Sequence, residues 1–180
     1  MAALHLAVER GFDNLRVSEI AARAGVSPRT YNNYFSSREE AVCALGADRI
    51  RQTPTSLRER PAQEPLADAL YHAMVDDYEV AQPEKAVLLL MLTHPNLRGE
   101  FLRATWGAYR DLAEAIAERT GHDASTELLP SIVAGAYQMA WRVAIMHWLR
   151  DEGSRTLASL MREAFSALAP LAAALEGQTS

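Results

Sequence analysis

The sequence has one cysteine, few aromatic residues and no long uninterrupted apolar segment. The single Cys43 excludes a disulfide framework and any metal site built from several thiolates. The longest apolar run, residues 86–92, is far shorter than the roughly 20 residues that a helix needs to span a bilayer. No basic stretch followed by an apolar run opens the chain, so no secretory signal is predicted. We therefore expect a cytoplasmic protein with no membrane partner.

The motifs of common catalytic sites are also missing. The chain contains no His-Glu-x-x-His zinc motif, no glycine-rich phosphate loop and no Gly-x-Ser-x-Gly nucleophile turn. Cys43 has no histidine near it in sequence, and the spacing of the histidines is not that of a metal site. We expect no enzyme activity, no metal and no cofactor.

The composition is that of a folded helical protein with an uneven charge. Hydrophobic residues make up 49% of the 180 residues, which excludes a disordered chain. Seven arginines and six carboxylates leave residues 1–51 at +1, whereas residues 52–180 carry 11 basic and 17 acidic side chains. Because the local field matters more than the net charge, an acidic chain can still bind nucleic acid.

Apolar residues recur at intervals of three and four along the chain, and this spacing predicts an all-α fold. Residues 52–64 contain two prolines and many polar side chains, and we interpret them as the boundary between two functional parts. Pro170 is expected to bend or cut the final helix. The helices are predicted at about residues 1–10, 17–24, 28–34, 38–51, 65–81, 84–93, 96–120, 125–150 and 154–176.

Two very short predicted helices, residues 17–24 and 28–34, are joined by a turn in which Gly25 reverses the chain and Val26 is expected to fill the bend. Ser27-Pro28 predicts a hydroxyl N-cap followed by proline at the first helical position. Ser37 to Glu40 predicts a capping box for the next helix. This arrangement is typical of a helix-turn-helix, although simple packing of two short helices remains the alternative.

The outer face of the second short helix carries groups that suit DNA. Arginine pairs with guanine and asparagine with adenine in the major groove, whereas tyrosine and arginine also contact phosphate oxygens. The predicted DNA-binding residues are Ser27, Pro28, Arg29, Thr30, Asn32, Asn33, Tyr34 and Arg38.

Residues 12–40 resemble the N-terminal domain of the tetracycline-repressor (TetR) family of bacterial transcriptional regulators. The match includes Ile-Ala-Ala-Arg-Ala-Gly-Val-Ser at residues 20–27 and Tyr-Phe-Ser-Ser-Arg-Glu at residues 34–39. The resemblance implies a helix-turn-helix domain over residues 1–51 and a ligand-binding and dimerisation domain over residues 52–180. It also implies a homodimeric repressor that is released from a palindromic, double-stranded DNA operator by a small apolar or aromatic effector.

The sequence departs from the family pattern at several positions. Arg16 replaces a capping threonine, so the cap is expected to be weaker or to move to Ser18. Arg38 replaces a phosphate-contacting lysine, and Asn32 replaces a frequent aromatic residue. Met1 falls inside what resembles the first helix, so either the true start lies upstream or the basic arm that helps to grip DNA is absent.

Two apolar stripes near the C-terminus predict a four-helix dimer interface, although either stripe also suits the core of its own subunit. The first stripe is Ile132, Ala136, Met139, Val143, Met146 and Leu149, and the second is Leu157, Leu160, Ala164, Leu168, Leu171 and Leu175.

Methionine and flat aromatic rings suit an apolar cavity for the effector, and they suit an ordinary core equally well. The segment 97–119 also resembles actinobacterial regulators that sense acyl thioesters. The candidate effector-binding residues are Tyr71, Met74, Tyr78, Met91, Trp106, Tyr109, Tyr137 and Trp141.

Two rival functions follow from the same sequence. The first is an enzyme, against which the missing motifs count. The second is an interaction protein that has lost DNA binding, which the charge of only +1 in residues 1–51 allows. A gel shift at two salt concentrations separates a regulator from an interaction protein, because contacts with phosphate weaken steeply with salt.

Overall fold

The computed structural model describes residues 2–80, 85–151 and 153–177, and the side chains of residues 76–80 and 87 lie outside that description. Within the described residues there are ten α-helices, a short 3₁₀ turn at Phe12–Asn14 and no strand, which confirms the all-α prediction. Residues 1, 81 and 84, predicted as helix ends, lie outside the described residues. The helices are α1 (Ala2–Arg10), α2 (Val17–Arg23), α3 (Pro28–Tyr34), α4 (Arg38–Glu59), α5 (Leu66–Val80), α6 (Lys85–Thr93), α7 (Pro95–Thr120), α8 (Leu128–Arg150), α9 (Leu157–Ser166) and α10 (Ala169–Glu176).

The chain divides into two compact units. The first comprises Met1–Arg49 with Glu84–Thr105, and the second comprises Ile50–Pro83 with Trp106–Ser180. The division therefore falls inside α4 and inside α7. These structural units are not contiguous in sequence, because residues 84–105 group with the N-terminal helices. They therefore do not test the functional boundary that was expected between residues 51 and 52, which stays a prediction.

The first unit buries one apolar side of each N-terminal helix, and α6 packs against α1. Leu6, Phe12, Ile20 and Tyr31 are all buried there. On α4, a Cβ built at Gly46 would lie 3.1 Å from side-chain carbons of both Met91 and Phe101, so glycine allows α6 and α7 to approach closely. These contacts explain why α6 and the start of α7 belong to this unit.

Cys43 is also buried in the first unit, where its thiol lies 3.5 Å from the carbonyl oxygen of Leu97. Burial, together with the charges of Glu100 and Glu39, raises the pKa of the Cys43 thiol to about 12. A thiol with so high a pKa is not a nucleophile near neutral pH.

The second unit is built on α8, which packs against α9, while α9 and α10 pack against α5. Its fully buried side chains include Leu70, Tyr137, Ile145 and Met161. Leu157, Leu160 and Leu175 of the second predicted stripe are buried in this core as well. That stripe therefore serves its own chain at these positions, as the alternative interpretation held.

One predicted helix end is wrong and one predicted break is confirmed. Helix α4 continues through Pro54 to Glu59, although residues 52–64 were expected to form a boundary segment. Burial of Thr53 and Leu57 offsets the roughly 3 kcal/mol that an internal proline costs a helix. Helix α8 begins at Leu128, within one turn of the approximate start predicted at residue 125. The final helix is cut where predicted, since α9 ends at Ser166 and Pro170 lies in the first turn of α10.

The loop between α4 and α5 is held by a cluster of charged side chains. Arg60 donates two hydrogen bonds of 2.7 Å to the Glu64 carboxylate, which also lies 2.8 Å from Nδ1 of His72. Arg119 on α7 donates to the carbonyl oxygens of Arg60 and Glu64. The Arg60 hydrogen bond, followed by that of His72, lowers the pKa of Glu64 to about 2, so its carboxylate is ionised near neutral pH.

Candidate nucleic-acid interface

The turn between α2 and α3 has the tight geometry that the sequence predicted. Gly25 adopts a φ of +70°, which favours glycine. Its N–H donates to the carbonyl of Ala22 at 3.1 Å, and the N–H of Val26 donates to the carbonyl of Ala21 at 3.0 Å. This pair of bonds is a Schellman motif, which ends α2 and redirects the chain into α3. Val26, which was expected to fill the bend, is 39% exposed and so does not close the turn as a buried residue.

The start of α3 is capped as predicted. The Ser27 hydroxyl oxygen accepts a hydrogen bond of 3.0 Å from the backbone N–H of Thr30, and Pro28 occupies the first helical position. The Ser27 and Thr30 hydroxyl oxygens also lie 2.9 Å apart. This cap fixes the direction in which a helix of only two turns leaves the bend.

The inner side of α3 is anchored by Tyr31. Its ring is buried, packs 5.4 Å from the ring of Phe35, and its hydroxyl donates to the carbonyl oxygen of Ser37 at 3.0 Å. Burial raises the pKa of Tyr31, with Glu40 and Glu39 adding to the shift, so the hydroxyl keeps its proton at neutral pH. With Tyr31 fixed inward, the opposite side of α3 is held outward.

That outward side presents the predicted reading residues. Arg29, Asn32 and Asn33 are exposed and lie three and four positions apart, so they share one helix face. Tyr34 ends the helix with its side chain 74% exposed. The structure thus places Arg29, Asn32 and Asn33 on one exposed face, with Tyr34 exposed at the end of the helix, and their contact with DNA stays a prediction.

The neighbouring helix ends carry arginines that pair within the chain. Arg23 at the end of α2 lies 3.0 Å from Glu9, whose pKa is lowered by the hydrogen bond from Arg23. Arg10 pairs with Glu19 at 3.1 Å. The carboxylate of Glu19 also accepts the backbone N–H of Arg16, so α2 starts at Val17 and the cap has not moved to Ser18.

The capping box predicted at the start of α4 is half correct. The Ser37 hydroxyl accepts a hydrogen bond of 3.0 Å from the N–H of Glu40. The Glu40 carboxylate, however, accepts from the backbone N–H and the hydroxyl of Ser36, both at 2.7 Å. The reciprocal bond is displaced by one residue because Ser36 offers two donors.

Arg38 differs from the other predicted DNA contacts because its guanidinium points into the unit. Its Nη1 donates to the carbonyl oxygens of Asp13 at 3.2 Å and Leu15 at 2.9 Å. The same guanidinium lies 4.8 Å from the centre of the Phe12 ring. These partners could not be predicted from the local sequence pattern, since they lie more than 20 residues away along the chain.

The predicted effector residues do not form one group. Tyr71 and Met74 on α5 are half-buried, and Tyr137 and Trp141 on α8 are buried in the second unit. The ring of Tyr109 lies against Gly135 of α8. Other candidates lie elsewhere or are not described: Met91 is buried in the first unit, Trp106 is 79% exposed, and the side chain of Tyr78 lies outside the described residues.

The hydroxyl of Tyr137 is a polar group in the apolar core of the second unit. Its side chain is fully buried and its ring packs edge-on to Phe165 at 5.1 Å, yet the hydroxyl has no hydrogen-bond partner among the residues that the structure describes. Burial raises the pKa of Tyr137 to about 12, with Asp68 and Glu176 adding to the shift. At neutral pH the group therefore keeps its proton and can act as a hydrogen-bond donor in an apolar interior.

The described part of the chain contains no group of three or more His, Cys, Asp or Glu side chains placed to hold a metal ion. None of its helices combines the length and apolarity that crossing a membrane requires.

The chain resembles known transcriptional regulators over most of its length. It is 28% identical to the HTH-type transcriptional regulator TcmR of Streptomyces glaucescens, covering 93% of this chain and 80% of that protein. It is 27% identical to a Mycobacterium tuberculosis protein named as the mycofactocin biosynthesis transcriptional regulator MftR, covering 83% and 77%.

Among solved structures, the chain resembles two FadR proteins in fold. FadR of Thermus thermophilus, a TetR-family repressor in complex with lauroyl-CoA, matches with a TM-score of 0.61 and 23% identity, covering 94% of this chain and 90% of that one. The fatty acid degradation regulator FadR of Bacillus halodurans matches with a TM-score of 0.64 and 19% identity, covering 93% and 91%.

Two family models account for the sequence and agree with the helix-turn-helix geometry. Residues 1–44 match the bacterial regulatory proteins of the tetR family, and residues 64–173 match the MftR C-terminal domain. The chain belongs to the TetR family of bacterial transcriptional regulators.

Proposed function

We propose that the chain is a homodimeric repressor that binds a palindromic operator through α3 and leaves it when a small apolar effector binds. The supporting observation is the division of α3 into a buried inner side, held by Tyr31, and an outer side that exposes Arg29, Asn32 and Asn33. An exposed arginine and two asparagines are the side chains that pair with guanine and adenine edges in the major groove.

A dimer is supported by the first predicted stripe, on α8. Ile132 is 51% exposed, Met139 58% and Val143 45%, and they lie at helical spacing on one face. A continuous apolar face of this kind favours pairing with a second copy about a twofold axis. On a palindromic operator, the two α3 helices of a dimer would occupy successive major grooves, about 34 Å apart.

Tyr137 supports a proposed effector class. Its buried hydroxyl, which has no partner among the described residues, is free to donate a hydrogen bond to a bound molecule. A neutral acceptor on an apolar molecule, such as an ester, thioester or ketone carbonyl, fits this setting best. The complex of Thermus thermophilus FadR with lauroyl-CoA makes an acyl thioester the first probe to test.

The experiment is fluorescence anisotropy with the labelled intergenic DNA upstream of the gene, at two salt concentrations, with and without lauroyl-CoA. We expect binding that weakens steeply with salt, as counterion release requires. Replacing Arg29→Ala should weaken specific binding by about 10- to 100-fold if this residue reads guanine. Arg110→Ala removes an exposed arginine of α7 and serves as the matched control, with affinity unchanged.

The competing interpretation is an interaction protein that no longer binds DNA. Absence of any anisotropy change at low salt, on this fragment and on duplexes selected from a random library, would favour that interpretation. Binding that is indifferent to lauroyl-CoA and to neutral long-chain esters would retain the DNA-binding proposal and remove the effector class.

A further inference from the structure

Arg38 and the residues that it contacts lie on either side of the helix-turn-helix in the sequence. Arg38 is the first residue of α4, directly after the segment that follows α3. Its two acceptors, the carbonyls of Asp13 and Leu15, lie just before α2. One guanidinium nitrogen therefore joins the two ends of the segment that contains both helices of the motif.

The acceptors themselves are firmly placed. The side chain of Leu15 is buried, and the ring of Phe12 is buried with the Arg38 guanidinium 4.8 Å from its centre. The imidazole of His94 meets the same ring edge-on at 4.7 Å, and its Nε2 lies 3.2 Å from the carboxylate of Asp13. The 3₁₀ turn is thus held by Arg38 on one side and by His94 on the other.

The positive charge of Arg38 also lies close to a carboxylate of the same chain. Its Nε lies 3.6 Å from the Glu39 carboxylate, and 31% of its side chain is exposed. The exposed reading residues of α3, by comparison, present their side chains outward. Both N–H groups of Nη1 are therefore committed to carbonyls within the chain, and the guanidinium lies over the Phe12 ring.

We infer that Arg38 is a positioning residue that clasps the two ends of the helix-turn-helix, and that the phosphate contact expected from its place in the sequence is not its role. This inference rests on the proposed DNA binding for its affinity measurement, and on folding alone for its stability measurement. It also gives a reason for arginine at a position where the family usually has lysine. The planar guanidinium is more weakly hydrated and better pre-organised than an ammonium for lying over a ring while it donates to two carbonyls, whereas an ammonium suffices for a phosphate.

The test compares Arg38→Lys, Arg38→Gln and the control Arg29→Gln by thermal unfolding without DNA and by the salt dependence of DNA affinity. The DNA is a duplex that the wild-type protein selects from a random library. We expect both Arg38 variants to unfold about 3–8 °C below wild type, since hydrogen bonds to a charged group are lost. Both should bind DNA several-fold more weakly, with the wild-type salt slope and no rescue by lysine. Arg29→Gln should lose affinity without any change in unfolding temperature.

The opposite pattern would overturn the inference. A phosphate contact predicts that Arg38→Lys behaves as wild type, and that Arg38→Gln lowers the salt slope by about 0.9 without changing the unfolding temperature. Failure of Arg38→Gln to fold supports the clasp, because a DNA contact contributes nothing to folding in the absence of DNA. If the wild type binds no duplex, the proposed function fails, while the unfolding temperature of Arg38→Lys still decides the clasp.

Discussion

Replacing Tyr137 by phenylalanine should make this protein more stable, which is unusual for a fully buried residue. The substitution keeps the ring, and with it the edge-on contact with Phe165 at 5.1 Å. It removes only a hydroxyl for which the described part of the chain offers no hydrogen-bond partner. A buried polar group without a partner costs about 1–3 kcal/mol, because its hydration in the unfolded chain is not replaced on folding.

The expected result is a free energy of unfolding raised by at least about 1 kcal/mol, measured by urea denaturation with far-UV circular dichroism. For a chain of this length the unfolding temperature should rise by about 2–4 °C for each kcal/mol gained. If the hydroxyl anchors the effector, Tyr137→Phe should also require about 2- to 12-fold more lauroyl-CoA to release DNA, the worth of one hydrogen bond.

Tyr31→Phe is the matched control, because it removes the same atom from a tyrosine whose hydroxyl is bonded. The Tyr31 hydroxyl donates to the Ser37 carbonyl at 3.0 Å, so this variant should lose about 0.5–1.5 kcal/mol. A loss of stability in Tyr137→Phe comparable to that of Tyr31→Phe would refute the reasoning. It would mean that the Tyr137 hydroxyl is satisfied in solution, for example by a bound water.

Three further predictions concern the turn, the charged loop and the dimer face. Gly25→Ala should cost about 1–2 kcal/mol in urea unfolding, because φ is +70° and no atom crowds the new methyl, so the cost is conformational; an unchanged midpoint would contradict the turn geometry. The pKa of Glu64 is depressed from 4.5 to about 2, so the stability it contributes is present above about pH 4.5 and is lost as the pH falls toward 2. Glu64→Gln should flatten the pH dependence of the unfolding temperature in that window, and an unaltered profile would count against the loop cluster. Met139→Glu should shift the protein toward monomer in sedimentation velocity, because a charge would enter the α8 face, whereas a dimer that persists would place the interface elsewhere.

The sequence predicted the helix-turn-helix well because its determinants are local. Gly25 needs only a left-handed conformation, and Ser27 needs only an N–H three residues later. The capping box at Ser37 was predicted only in part for the same reason. The Ser37 hydroxyl accepts the predicted hydrogen bond from the N–H of Glu40, whereas the Glu40 carboxylate accepts from the neighbouring Ser36.

The features that the sequence did not predict depend on contacts between distant residues. Helix α4 passes Pro54 because Leu57 is buried by other helices, and no local pattern announces that burial. The clasp of Arg38 and the contact of His94 with Asp13 join residues 23 to 81 positions apart. The exposure of Trp106 was not predicted either. An aromatic residue on a helix suggests a cavity or a core, but Trp106 is exposed.

The grouping of α6 and the start of α7 with the N-terminal helices limits how this protein can be recombined with its relatives. A transplant of residues 1–51 onto a foreign C-terminal half would carry Gly46 without the Met91 and Phe101 side chains that lie against it. It would also separate Phe12 from His94, so the graft would expose apolar surface at the seam. Hybrid regulators should therefore take residues 84–105 from the same protein as the helix-turn-helix, even though residues 50–83, which belong to the second unit, lie between them in the sequence.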